Sequence, residues 1–480
     1  MNPSKAQSHP LQEAAKIFPD HPALLQNEYS LSYAELYKDS LRLCSALLER
    51  GLRSGDIVVL DELQPEEMII IIWACSLGGF IAFPINSRFP AASLISIIRK
   101  AQVSLIVSNR KLIPELACSY QDLLDTQPNE SEDFDPFEPS RAATLLMTSG
   151  SSGSMKIVQH SLENHLASAR GSNLNIKVEP HDKWLLTLPL YHVGGLSILF
   201  RCALADASVV IQSAEESING TLSTGQITHV SMVATQFQSV LEEQIAVPAL
   251  RGMKAILLGG SAIPSSLINK ALQLQLPIHV SYGSTEMASQ TCTTDAVDRS
   301  NTLRNSGRLL QGRDLIISHE GEILVRGPTL AMGYLENSNL NDFRDPEGWF
   351  HTGDIGYIDT RGSVSIVGRI DNQFISGGEN IQPEYIEIAL AKIPGIVQAI
   401  VLGEPDPDFG HRPVAYIQVD DPDFAAEVID PELRKTLPGY MIPRAIYLLP
   451  PELIANQLKI SRVELLDFVN GKNNHLHRLD

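Results

Sequence analysis

The stretch LLMTSGSSGSMKIV, residues 145–158, places an unbroken series of hydroxyl-bearing and glycine residues, Thr148 to Ser154, between two apolar runs. Lys156 follows one residue further on, after Met155. The preceding ATLLM predicts a strand, and glycines after a strand let several backbone N–H groups turn together toward an anion. The hydroxyls add donors and Lys156 adds a positive point charge, so a polyphosphate suits the loop. It is not a Walker A sequence, because Gly150 and Lys156 are wrongly spaced and Lys156 is not followed by Ser or Thr. Taken alone, such a loop also reads as a solvated turn, and the rest of the chain must decide.

The chain has 480 residues, of which 44% are hydrophobic and 19% charged, more than a single hydrophobic core usually serves. Two or more domains are therefore expected. A formal net charge of −19 removes any general attraction to a phosphate backbone and argues against a nucleic-acid partner. The cysteines at 44, 75, 118, 202 and 292 form no CxxC pair, which fits a reducing compartment and argues against a zinc site. The first residues, MNPSKAQSHPLQEAAKIFPD, lack the apolar core of a signal peptide, so a cytoplasmic protein is expected. Met68 to Ile85 is long and uncharged, but Gly78, Gly79 and Pro84 interrupt it; a buried helix followed by a strand is expected there, not a membrane span.

Elsewhere, short β-branched runs alternate with amphipathic stretches, as in DIVVLDEL, VSLIVSN and MKAILLGGSAIPSSLINKAL, the pattern of an α/β fold. Residues 127–141, acidic and proline-rich, read as a surface connection. A domain boundary is expected near Asp371, after GSVSIVGRI. Beyond it, QPEYIEIALAKIPG predicts a helix with Pro383 in its first turn, Gly395 past its end, and Ile386, Leu390 and Ile393 on one face. Two strand-like runs, VQAIVLGE and VAYIQVD, follow, enough for a small α+β module closing the chain.

TSGSSGSMK resembles the phosphate loop of the adenylate-forming superfamily of acyl-CoA synthetases, luciferases and peptide-synthetase adenylation domains. Serines replace the usual threonines, and Met155 replaces the usual proline. Further matches come in the family's order: YGSTE from Tyr282, WFHTGD ending at Asp354, GRIDNQFISGGENIQPEYIE from Gly368, and LKISR from Leu458. The likeness covers nearly the whole chain. It implies a large N-terminal α/β body of subdomains (1–370) and a small mobile α+β C-terminal domain (371–480), with Asp371 at the hinge. It also implies a ligase that uses ATP and Mg²⁺, makes an acyl-adenylate and passes the acyl group to a thiol such as coenzyme A.

The resemblance assigns roles residue by residue. Thr148, Ser149, Gly150, Ser151, Ser152, Gly153 and Lys156 would hold phosphates, with Thr148 close to the chemistry. Tyr282 would stack on adenine, between Ser281 and Gly283, which lets backbone approach the nucleotide. Thr285 would bond the α-phosphate and Glu286 would hold magnesium, a cation that takes hard oxygen donors. Gly259, Gly260 and Ser261 would wall the adenine pocket. Asp354 would grip the ribose hydroxyls and Arg369 the same sugar or its phosphate. Ser376, Gly377, Gly378 and Arg412 would face coenzyme A after the lid turns. Lys459 would bridge carboxylate and α-phosphate in the transition state; Leu458 precedes it where the family usually has glycine.

LPLYHVGGLSILFRCAL, residues 188–204, carries one charge, Arg201, in a helix-like apolar stretch. A buried guanidinium needs an anion. The ordinary partner would be an internal Asp or Glu. This stretch, with MVATQFQSVLE and LLGGSAIP, resembles a subgroup whose acyl substrate bears two carboxylates, one activated and one free to pair with Arg201. His192 would border the acyl pocket, with simple packing as its alternative. Another aryl- or acyl-CoA ligase, a carrier-protein-loading enzyme and a non-catalytic acyl-adenylate-binding relative remain as other readings. Homo-oligomerisation stays open.

Overall fold

The chain is described here by a computed structural model covering residues 8–479 apart from 111, 127–136, 150–154, 214, 225, 296–304, 422–423, 455–459, 461 and 472–475; of Ser149 only the backbone is described. The expected surface connection thus lies mostly outside the described residues, as do Gly150, Ser151, Ser152, Gly153 and Lys459.

The long apolar run folds as helix Pro65–Gly78 and strand Ile81–Pro84. Ile57–Asp61 pairs in parallel with Ile81–Pro84, a connection that requires a crossover, and the helix supplies it. Met68 through Cys75 are all buried, so this helix is apolar around its whole circumference because protein encloses it. Among the described residues no helix is long and apolar enough to cross a membrane.

These strands belong to an eight-stranded sheet that also contains the hairpin Ala142–Ser149 and Met155–Ser161, followed outward by Gly333–Glu336 and Asn339–Asn341. A nine-stranded sheet holds the parallel strands Ser208–Ile211, Lys183–Leu186, His229–Met232, Ala255–Leu258 and Ile278–Ser284. The carboxyl ends of such strands are where open α/β sheets hold their ligands, and Gly259, Gly260 and Tyr282 to Glu286 lie there. The strand runs past Tyr282 to Ser284, because Tyr282, Gly283 and Ser284 pair antiparallel with Cys292, Gln290 and Ser289.

A four-stranded antiparallel sheet follows, in which Asp354 of Phe350–Ile358 faces Arg369 of Val364–Arg369. The last sheet, Phe374–Ser376, Glu379–Ile381, Ile396–Asp406, Gly410–Val419 and Ile446–Leu448, surrounds the expected helix, found at Pro383–Leu390. Ile386 and Leu390 lie on its buried face, and Ile393, past its last residue, packs into the same cluster. The two apolar clusters under this sheet draw only on residues from Phe374 onward. Near the end of the chain VELLDFV lies in the helix Arg462–Asn470, on which Leu465 is buried while Val463 and Leu466 face solvent.

Candidate nucleotide and acyl-substrate site

The phosphate-loop motif joins two antiparallel strands whose register pairs Thr148 with Lys156 and Ser149 with Met155. Lys156 lies over a ring that the sequence reading did not single out: its Nζ stands 4.6 Å from the centroid of Tyr334. The Tyr334 hydroxyl donates to Glu286 Oε1 at 2.8 Å. The structure thus brings the loop lysine and the expected magnesium ligand to the two ends of one tyrosine.

Two backbone contacts fix the Thr285–Glu286 turn. His160 Nε2 donates to the Thr285 carbonyl at 2.7 Å, and the Ala331 amide donates to the Glu286 carbonyl at 2.8 Å. Burial lowers the His160 pKa to about 4, so the ring is neutral and Nε2 carries the proton that this bond needs. Among the described residues no group of three or more His, Cys, Asp or Glu could form a metal cage. A single carboxylate with one oxygen committed to a tyrosine suits magnesium, which completes its octahedron with phosphate oxygens and water.

Four other expected residues meet a short distance away. The Tyr282 hydroxyl donates to Asp354 Oδ2 at 2.6 Å, and Arg369 Nη1 donates to Asp354 Oδ1 at 2.9 Å. Arg369 Nη2 reaches Asp371 Oδ2 at 3.0 Å. Burial works against the charge on Arg369, but Asp354 and Asp371 outweigh it and hold the pKa above the usual arginine value. Burial, then Asp354, pushes the Tyr282 pKa well up, so its hydroxyl stays a donor. Beside these, Ser281 Oγ donates to the Leu258 carbonyl at 3.0 Å.

The glycines serve somewhat different neighbours from those expected. A Cβ on Gly283 would collide with the Ser289 carbonyl, so the close approach there is within the protein. A Cβ on Gly259 would come within 2.5 Å of Ser281 Oγ, and Gly260 adopts φ +82°. Both Gly377 (φ +58°) and Gly378 (φ +88°) are left-handed; a side chain on Gly377 would press on Phe409, whereas Gly378 faces open space. Arg412 lies over the same Phe409 ring at 5.2 Å, and Ser376 is buried in the strand beside it.

Arg201 is 1% exposed in helix Val193–Ala205. No carboxylate pairs with it among the described residues. Its Nη2 donates to Ser289 Oγ at 3.0 Å and its guanidinium lies 5.1 Å from the Trp184 ring, while Nε and Nη1 are buried without a partner. Burial, and then the neighbouring Arg313, lower its pKa to about 9. Ser289, at φ +113°, holds a backbone shape rare for a side-chain-bearing residue, and its hydroxyl sits between Arg201 and Ser197. At the other end of this helix, His192 is the residue before its first turn; it is solvent-accessible, and desolvation by its surroundings lowers its pKa.

The strands, the paired motifs and their order define an adenylate-forming enzyme: the family described as AMP-binding enzyme matches residues 11–335, and AMP-binding enzyme C-terminal domain matches 385–456. The chain belongs to this family. It is similar to the 2-succinylbenzoate–CoA ligases of Bacillus licheniformis (31% identity, 92% of this chain and 95% of the relative) and Bacillus cytotoxicus (30%, 96% and 98%). Among solved structures it resembles o-succinylbenzoate CoA synthetase (MenE) from Bacillus subtilis in complex with the acyl-adenylate intermediate OSB-AMP, at 28% identity and TM-score 0.83 over 92% of this chain and 94% of that one. It also resembles the same enzyme in complex with ATP and magnesium ion, at 29% identity and TM-score 0.83 over 92% and 96%.

Proposed function

We propose that this chain is a cytoplasmic, ATP- and Mg²⁺-dependent ligase that converts 2-succinylbenzoate and coenzyme A to the acyl-CoA, in menaquinone synthesis. In the first half-reaction a carboxylate oxygen attacks the α-phosphorus of ATP, the bond to pyrophosphate breaks, and acyl-AMP remains. In the second, the coenzyme A thiolate attacks the acyl carbonyl carbon and AMP leaves.

The residues divide this work. Thr148, Lys156 and the loop between them hold phosphate oxygens, with Thr285 donating to the α-phosphate. Magnesium held by Glu286 would neutralise charge on the departing pyrophosphate. Asp354, kept in place by Tyr282 and Arg369, accepts from the ribose hydroxyls. Lys459 supplies a cation to the transition state of the first step. Residues 371–480 form a lid that turns about Asp371, so that Ser376, Gly377, Gly378 and Arg412 face coenzyme A in the second step.

The observation that carries the choice of acid is Arg201. A monocarboxylate, once activated, leaves a buried guanidinium with two unpaired nitrogens; a dicarboxylate supplies its missing anion. Purified protein given ATP, Mg²⁺ and a panel of mono- and dicarboxylic aromatic acids tests this. Pyrophosphate release should be fastest with 2-succinylbenzoate, and acyl-CoA should form when coenzyme A is the only thiol. Equal turnover of monocarboxylates, or a requirement for a carrier protein, would overturn it.

A further inference from the structure

Tyr334 belongs to none of the motifs read from the sequence, yet it touches two of them. It lies in strand Gly333–Glu336, which pairs antiparallel with Met155–Ser161 so that Tyr334 faces Val158. Lys156 is two residues from Val158 on the same face of that strand, the diagonal position that a long or aromatic side chain can reach. Phe343, 4.9 Å away between ring centroids, packs on the tyrosine, and the Ala331 amide ties the approach to this strand to the Glu286 carbonyl. Its hydroxyl donates to Glu286 Oε1 at 2.8 Å.

We propose that Tyr334 is a positioning residue that sets the separation between the phosphate-loop cation and the metal-binding carboxylate, its ring holding Lys156 and its hydroxyl holding Glu286. This rests on the roles given to those two residues under the proposed function. The hydroxyl occupies Oε1 and would leave Oε2 of Glu286 to a metal. The cation–π contact keeps the ammonium near the loop instead of letting a flexible stem swing into solvent.

The two arms are separable by substitution. Tyr334→Phe removes the bond to Glu286 and keeps the ring under Lys156; Tyr334→Leu removes both. ATP affinity is measured by calorimetry with Mg²⁺ and again in EDTA, without any acyl substrate, so the outcome does not depend on which acid the enzyme activates. The Phe variant should bind ATP about three- to tenfold more weakly than wild type with Mg²⁺, the effect of one hydrogen bond, and within about twofold of it in EDTA. In the Leu variant binding should weaken under both conditions. Glu286→Gln should abolish the Mg²⁺-dependent difference between Tyr and Phe at position 334. Melting temperature, read in parallel, should hold for the Phe variant. A Phe variant weakened equally in both conditions, or in neither, would overturn the proposal even if 2-succinylbenzoate turns over as expected.

Discussion

The hydroxyl of Tyr282 donates to Asp354 across 2.6 Å, joining the end of the nine-stranded sheet to the middle of the four-stranded one. Asp354 is therefore held on both oxygens, Arg369 taking the second, and under the proposed function it is aimed before the ribose arrives. Asp354→Ala should raise KM for ATP by at least about tenfold, since it removes the acceptor for a sugar hydroxyl and leaves Arg369 short of a partner. Tyr282→Phe should cost only a few-fold, because Arg369 still orients the carboxylate. Steady-state kinetics against ATP at saturating acid measures both, and the ranking should invert if Tyr282, not Asp354, contacts the ribose.

Arg201 yields a prediction about stability as well as specificity. Its pKa falls from the usual arginine value to about 9, so the protonated side chain is disfavoured in the folded state. The unfolded chain then binds more protons between pH 9 and the ordinary arginine pKa, and stability from this group rises with pH across that window. An anion that enters the pocket should relieve the same penalty at neutral pH. Acyl-AMP mimics with a free second carboxylate should raise the melting temperature more than mimics without it, and Arg201→Leu should erase the difference. It should do so without lowering the melting temperature of the ligand-free protein, since an apolar side chain replaces an unpaired buried charge.

The candidate site was legible where the proposed chemistry depends on residue type in a short run: hydroxyls, glycines and Lys156 in one stretch, or Tyr282 and Glu286 in another. It was less legible where a partner comes from pairing register. Tyr334 looks like any strand aromatic until Val158 is placed opposite it, and His160 like any core histidine until its ring meets the Thr285 carbonyl. The need for Gly283 beside the Ser289 carbonyl was not legible in the glycine pattern, because that neighbour is set by the hairpin after the turn. Helix Pro65–Gly78 followed directly from the interrupted apolar run.

Glu387 offers a pH test of the C-terminal sheet. Burial raises its pKa to about 7 despite the Arg462 guanidinium beside it. A carboxyl whose folded pKa lies above its unfolded value contributes stability that is complete below about pH 4.5 and is lost as pH rises through about 7. Glu387→Gln removes the titration and keeps a carbonyl to accept from the Val401 amide, which now donates to Glu387 at 2.7 Å. The difference in melting temperature, wild type minus variant, should therefore fall between pH 5 and pH 8. A flat or rising difference would mean that Arg462 keeps Glu387 ionised throughout.

Lys459 should separate the two half-reactions. Although it lies outside the described residues, the residues that follow it are anchored to the C-terminal sheet and to helix Pro383–Leu390. Ile460 is buried with Val414 and Tyr416, and Arg462 reaches Glu384 at 3.2 Å and Glu387 at 2.5 Å. Glu384 in turn accepts from Asn372, the residue after the proposed hinge. Removing one preorganised cation from a transition state commonly costs a factor of about a hundred or more, so Lys459→Ala should slow pyrophosphate release by that much. Arg462→Ala leaves the lysine in the chain but loosens its anchor, and should slow the same step by a smaller factor, about tenfold. Neither variant should slow AMP release when acyl-adenylate and coenzyme A are supplied directly, if that step uses the Ser376–Gly378 face as proposed. Single-turnover measurements of each half-reaction decide it: parallel losses in both would show that one face of the lid serves both steps, and the rotation about Asp371 would have no work to do.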